Sequence, residues 1–272
     1  MRGAAVAVCG LHLAGCATAL STSQPAHVPA PGHVQPELGV DISFSTGAIR
    51  KVIRAADELE DSATLRTLTE EEMRRILEGG AHLTFNPSAL IPHVGIASSV
   101  FERWELGLRF ATSGFRLGVR HQLLEQAESG VDFTVGLGVG RAIFIPPIHD
   151  VLDSLTVDDF ERWNFDVPVT VGQHGVWYRW WAGPRIALST VSQTMTLTLP
   201  NTPPVTATVS GNGFYLGAHA GTAFGYKSVF IGPELTLVGL FGAADVELMG
   251  ETRRVGIGSF VIAPAFAVMG EF

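Results

Sequence analysis

The sequence predicts an all-β fold: a closed antiparallel transmembrane β-barrel of about ten strands, with a short helical pair inserted near the N-terminus. Three observations predict it. Apolar and polar residues alternate over long stretches, most clearly from Trp104 to Leu124. There Trp104, Leu106, Leu108 and Phe110 share one face and Glu105, Gly107, Arg109 and Ala111 the other. After a Thr112-Ser113-Gly114 turn the pattern repeats, with Phe115, Leu117, Val119, His121 and Leu123 against Arg116, Gly118, Arg120 and Gln122. The second observation is that no apolar run reaches the ~20 residues of a membrane-spanning helix, so a spanning structure must be a closed barrel. The third is chemical. Glu105, Arg109, Arg116, Arg120, Asp132, Asp166, Arg179, Arg185 and Glu234 all fall on the polar faces. Alternation alone does not say which face looks outward, but these charges do. An apolar core would hold them only at severe cost, whereas a hydrated lumen tolerates them as interlocking ion pairs, so the apolar faces are assigned to lipid.

Composition agrees with that assignment. Of 272 residues, 46% are hydrophobic and only 16% charged, glycine numbers 31, and mean hydropathy is +0.28, which is sparse in charge for a water-facing surface. The net charge of -8 argues against nucleic acid as a partner. Both cysteines, Cys9 and Cys16, lie in the leader, so none remains downstream for a disulfide or a thiolate metal site.

Taken in order, residues 1–16 have Arg2, a short apolar segment and then Leu13-Ala14-Gly15-Cys16, the layout of an export signal. Those last four residues resemble the lipobox of bacterial lipoproteins. The resemblance implies cleavage before Cys16, lipidation (palmitate among the acyl groups) of that residue and, because Ala17 rather than Asp follows, delivery to the outer membrane. Ala17-Thr18-Ala19 offers an ordinary cleavage site as the alternative. Residues 17–35, rich in Ser, Thr, Pro, Ala and His without periodicity, predict a flexible tether.

The barrel is expected over residues 36–272. Leu38, Val40, Ile42 and Phe44 alternate with Gly39, Asp41, Ser43 and Ser45 as its first strand. The insertion at 48–79 breaks the pattern. Ile49, Val52, Ile53, Ala56 and Leu59 recur at helical spacing, and a second helix is opened by a Thr69/Glu72 capping box and closed by Gly79-Gly80. Both helices are acidic, which suits a cap or plug better than a membrane-surface helix. Strands resume from Val94 to Val100, Trp104 to Leu124, Val131 to Gly140, Phe165 to Gly172 and Tyr178 to Ser189. Residues 191–212 predict a polar hairpin, Phe214 to Phe224 and Val229 to Phe241 two long strands, Gly242 to Arg254 a loop, and Val255 to Phe272 the closing strand.

Short turns at one end and long polar connections at the other resemble Gram-negative outer-membrane barrels. The final run Phe260, Ile262, Phe266, Val268, Phe272 resembles the signal their assembly machinery recognises. These resemblances imply outer-membrane lipid and that machinery as partners, and a lipid-anchored outer-membrane location with the N-terminus in the periplasm. Trp104, Phe110, Phe115, Trp163, Trp177, Trp180 and Trp181 are expected at the membrane interfaces. Pro168, Pro184, Pro233 and Pro264 oppose a closed barrel unless each sits at a rim or a bulge.

Function is read as structural or narrowly pore-forming, with no catalytic site, cofactor or metal. His219 alone among the histidines lies well inside a lumen-facing register, without a serine or carboxylate at motif spacing, and His149-Asp150 lies in a loop. Two other readings are a soluble secreted β-barrel binding a small apolar ligand and an outer-membrane lipid-modifying hydrolase centred on His219.

Overall fold

A computed structural model describes residues 19–46, 70–85, 89–143, 155–198 and 203–272. The leader with Cys16, the helix expected over Ile49–Leu59 and the Thr69 cap lie outside the described residues.

The alternating stretches become β1 (Val34–Ser45), β2 (Ala89–Phe101), β3 (Trp104–Ala111), β4 (Gly114–Leu124), β5 (Asp132–Ala142), β6 (Leu155–His174), β7 (Tyr178–Leu197), β8 (Val205–Tyr226), β9 (Val229–Leu248), β10 (Glu251–Gly256) and β11 (Ser259–Gly270). Helix α1 (Glu70–Phe85) precedes β2, and α2 (Gln126–Ser129) is a single turn before β5. From β1 to β9 each strand pairs antiparallel with the next, and β11 pairs with both β9 and β1, which closes the ring. β10 and β11 lie end to end along β9, Glu251–Gly256 against Leu248–Ala243 and Ser259–Gly270 against Leu240–Val229. They are two halves of one stave, so the barrel has ten.

The outer wall shows which solvent it suits. On β8 the outward residues Phe214, Leu216, Phe224 and Tyr226 are exposed, and past Phe214 they change to Asn212, Ser210, Thr208 and Thr206. The neighbouring strands switch at the same level. Leu188 of β7 is paired with Phe214, and Phe214 with Phe241 of β9; beyond them lie Thr190, Ser192 and Thr194 on β7, and Asp245 and Glu247 on β9. From Phe214 to Phe224 the band is about 25 Å tall, taking ~3.3 Å per residue and a ~40° tilt, the height of a hydrocarbon-facing band. Trp104, Trp177, Phe224 and Tyr226 mark its lower edge, and Phe110, Trp163, Phe214 and Phe241 its upper one. Trp181 departs from the expected girdle: it points inward and is 1% exposed.

Inside, the chemistry changes with height. Charged and polar groups fill the barrel at the level of the outer band. Above that level β7, β8 and β9 continue as strands, with Val191, Met195, Leu197, Ala207, Val209, Ala244, Val246 and Leu248 turned inward. Residues 191–212 and 242–254 are therefore mostly ladder and not loop: β7 runs to Leu197, β8 begins at Val205, and β9 meets β10 across Met249-Gly250. The Thr and Ser that make these stretches read as loop lie on the outer face, above the apolar belt.

Helix α1 supplies what the inner face packs against. Leu77, Ala81 and Phe85 join the same apolar cluster, which identifies the helix as a plug at this end. It runs through Gly79-Gly80, where sequence predicts its end. Both glycines are buried, and the helix is stopped further on by the wall: Arg162 donates to the Thr84 and Phe85 carbonyls at 3.3 and 3.0 Å, and the Tyr215 hydroxyl donates to the Phe85 carbonyl at 2.9 Å. The last carbonyls of a helix need such donors wherever it ends.

The four prolines are not at the rims. Each sits where pairing with one neighbour is interrupted inside the span: Pro168 between β5 and β6, Pro184 between β6 and β7, Pro233 between β8 and β9, Pro264 between β11 and β1. The missing N–H thus coincides with a gap in one ladder while the other side of the strand stays paired. At Gly232, beside Pro233, a Cβ would lie 1.9 Å from the Thr222 carbonyl oxygen, so only glycine allows the strands to approach there.

Candidate functional site

All nine charged residues singled out from sequence face the interior, seven of them in four groups. Glu105 and Arg120, directly opposed on β3 and β4, form a bidentate pair at 2.9 and 2.8 Å. Arg116 spans to Asp166 with two bonds of 2.8 Å, and Arg185 meets the same carboxylate at 3.0 Å. Arg116 crosses directly over Gly138, where a Cβ would lie 2.4 Å from the Asp166 carboxylate and 2.5 Å from the guanidinium. The glycine-rich run Gly136–Gly140 is thus the floor of this ion pair. Asp132, at the short-turn mouth, is held by His174 at 2.6 Å, Gln122 at 2.8 Å and the Gln126 amide at 2.9 Å, while Arg179 pairs with Glu271.

The remaining pairings involve residues that sequence reasoning passes over. Arg109 pairs with Glu37 at 2.7 Å, and His93 meets the same carboxylate at 2.7 Å. Glu37 and Asp41 lie on the polar face of β1, so the same alternation that selects Arg109 marks them too. Glu234 pairs with no guanidinium among the described residues. It accepts from the Trp181 indole at 2.8 Å and from the N-terminal segment.

That segment is the main correction to the sequence reading. Residues 19–32, expected as part of a flexible tether, run through the lumen. Ala19 packs with Ala89, Ile91 and Ala111 at the long-loop mouth, and Leu20 joins the apolar cluster around α1. Lower down, the Ser21 amide and hydroxyl donate to Asp41 at 3.3 and 2.6 Å, and the Thr22 and Ser23 amides donate to Glu234 at 2.7 and 2.8 Å. Guanidiniums take the carbonyls: Arg185 binds Leu20 at 3.0 Å, Arg109 binds Ser21 at 2.8 Å and also Thr22, and Arg120 binds Pro25 at 2.7 Å. The Val28 amide donates to Gln122 at 2.6 Å. At the short-turn mouth His27 stacks on His174 with centroids 4.6 Å apart and meets Glu271 at 2.9 Å, and the Gly32 amide donates to the Ser99 carbonyl at 2.8 Å before β1 begins.

The physical reason is reciprocal need. Among the described residues Asp41 and Glu234 have no guanidinium within pairing distance, and an extended chain of Ser, Thr and Pro offers amides and hydroxyls without side-chain bulk. A consequence is that the described chain starts at the long-loop mouth, whereas the lipoprotein reading places its N-terminus on the short-turn, periplasmic side. Further up, two spaces beside the segment have room for only about 20 and 60 Å³ of water, whereas an open hollow of about 1020 Å³ lies beside His27–Pro31 at the short-turn mouth, so the lumen is filled above that mouth.

Burial tends to raise the carboxyl of Glu271, which follows the last strand. The His27 hydrogen bond and the Arg179 guanidinium outweigh that and hold it at about 2. His219 is buried with neither ring nitrogen hydrogen-bonded to a described residue, and among the described residues no cluster of His, Asp and Glu is arranged to hold a metal.

No family model matches the chain, and no curated protein matches it. Among solved structures it is similar to the outer membrane protease OmpT from Escherichia coli, at 9% identity over 91% of this chain and 100% of that one, with a TM-score of 0.41. A major outer membrane protein from Thermus thermophilus gives 12% identity, 88% and 99% coverage and a TM-score of 0.38. Neisserial surface protein A gives 9%, 88% and 96%, with 0.30. Likenesses of this size carry no argument about activity, and the barrel architecture rests on the strand pairing described above.

Proposed function

We propose that this protein is an outer-membrane β-barrel, additionally anchored by lipid on Cys16, with a structural or narrowly pore-forming role. One observation carries the reading: an outward belt of leucine, valine and aromatic residues surrounds an interior in which Glu105, Arg109, Arg120, Asp166 and Arg185 are all nearly solvent-free. In water the outward apolar belt would be unfavourable, whereas a bilayer satisfies it, and the interior charges are met by one another and by the threaded segment. The role proposed is not enzymatic, because the lumen charges are engaged with one another and with the threaded segment.

Refolding tests the barrel. Protein refolded into detergent should migrate faster on gels before boiling than after it, and should float with liposomes. A monomer that stays soluble without detergent would overturn the reading. Lipidation is tested separately, by incorporation of labelled palmitate that is lost in Cys16→Ser. The proposed recognition of the last strand by the assembly machinery predicts that deleting Phe272 lowers the amount of barrel reaching the membrane without changing gel mobility of what is assembled. Because the segment fills the lumen above the short-turn mouth, the structural role is the one favoured: the intact protein should show no steady conductance in planar bilayers, and a steady one would favour the narrow pore.

A further inference from the structure

The contacts that hold residues 19–32 are of an unusual kind. Arg185, Arg109 and Arg120 bind the carbonyls of Leu20, Ser21, Thr22 and Pro25, and Asp41, Glu234 and Gln122 bind the amides of Ser21, Thr22, Ser23 and Val28. Polar side-chain recognition is limited to the Ser21 and Thr22 hydroxyls, at 2.6 Å from Asp41 and 3.0 Å from Glu234, and to His27 at the lower mouth, while Leu20 packs in the apolar cluster at the other end. The wall therefore reads main chain. It does so with charged and polar groups at successive heights, three guanidiniums for the carbonyls of Leu20, Ser21, Thr22 and Pro25 and two carboxylates and an amide for the N–H groups of Ser21, Thr22, Ser23 and Val28, and not by adding the segment to a strand edge, since every stave already has two neighbours.

From this we infer that the lumen is a binding channel for an extended polypeptide of small residues, and that residues 19–32 occupy it as an exchangeable intramolecular ligand. Two features support exchange over permanent burial. The segment makes no ladder with the wall along its buried length, so it can leave without opening the barrel. Its junction with β1 is an exposed turn at Pro31-Gly32, at the short-turn mouth. The ligand class follows from the chemistry: a chain with free amides where Glu234 and Asp41 wait, carbonyls facing the three arginines, side chains as small as those of Ser, Thr, Pro and Ala at the positions of Ser21–Ser23, Pro25 and Ala26, and an apolar side chain at that of Leu20.

The inference rests on the lumen-filled barrel proposed above, and its test separates the two. A protease recognition sequence is inserted at the Pro31-Gly32 turn of the full chain, the protein is refolded in detergent with the segment in place, and the turn is then cut. Heat-modifiable mobility reports the barrel independently of what the segment does. A fluorescent synthetic peptide of residues 19–32 should then replace the cut segment and bind at one per barrel. The same peptide N-methylated at Thr22 and Ser23, which deletes the two donors to Glu234, should bind at least about tenfold more weakly. In the uncut protein the labelled peptide should not bind. Equal binding of the methylated peptide, or a cut segment that neither leaves nor exchanges while the barrel stays folded, would overturn the proposal. As a second route, Glu234→Gln in the cut protein should speed release of the segment, and an unchanged release rate counts against main-chain recognition.

Discussion

Glu234 carries more of the lumen than its position in the sequence suggests. A carboxylate buried at mid-barrel without a paired guanidinium must be satisfied by neutral donors, and it collects five: two amides, the Thr22 and Thr236 hydroxyls and the Trp181 indole. Removing it as Glu234→Ala leaves those donors unpaired and should lower stability by roughly 3 kcal/mol or more, read as a shifted denaturation midpoint of the refolded barrel. Glu271 makes the matching contact at the lower mouth and sets a pH dependence. Its folded value, about 2, lies below that of an unfolded glutamate, so its contribution is complete above an ordinary carboxylate range of about 4.3 and is lost as pH falls through about 2. The Glu271 contribution to docking should therefore fade only in strong acid, whereas His27, whose pKa burial holds below the ordinary 6.5, should weaken docking earlier, as pH falls through the histidine range; fluorescence of a probe at Pro31 would follow both steps. Glu271→Gln should make docking there weaker at pH 7 and remove the step in strong acid.

At the scale of elements, α1 and the tall side of the barrel depend on each other. The extended part of β7–β9 has an apolar inner face and a polar outer one, the pattern of a water-soluble sheet, and it needs the helix to cover it. Truncating Phe85, which is fully buried there, should cost about 3–5 kcal/mol and expose the cluster to a hydrophobic dye, leaving the lower barrel and its heat-modifiable mobility in place. The same region shows where sequence misleads. Thr190, Ser192, Thr194 and Thr196 give the stretch a loop-like composition, while the alternating Val191, Met195 and Leu197 are the informative half. Alternation is legible wherever the outer face is apolar, from Trp104 to Leu124 above all, because there both faces carry signal. The helix extending past Gly79-Gly80 is not legible for a different reason: its stop is made by Arg162 and Tyr215, distant in sequence. The prolines by themselves suggest a rim or a bulge, but an interrupted ladder with one neighbour satisfies the same constraint.

For the molecule as a whole, the path of residues 19–32 fixes a topology that composition could not reveal. Their Ser, Thr and Pro content is equally that of a solvated tether and of a lumen ligand; only the carboxylates of β1 and β9, brought together by barrel closure, distinguish the two. The charge network is legible because nine charges on polar faces have few places to go, whereas the segment that completes it carries no Asp, Glu, Lys or Arg at all. Threading sends the chain from the long-loop mouth at Ala19 to the short-turn mouth at Gly32. With the long-loop end outward, as outer-membrane barrels insert, Ala19 lies on the cell-surface side. Cysteine placed at Ala19 should then react with a membrane-impermeant maleimide on intact cells, while cysteine at Pro31 should react only after the outer membrane is permeabilised. Cys9 would be removed with the leader and Cys16 blocked by acylation, so neither adds background to the proposed lipoprotein. Labelling at Pro31 and not at Ala19 on intact cells would mean that the segment does not thread the barrel as described, or that the barrel sits the other way up, and proteolysis of the connection between β7 and β8 on the same cells would tell which.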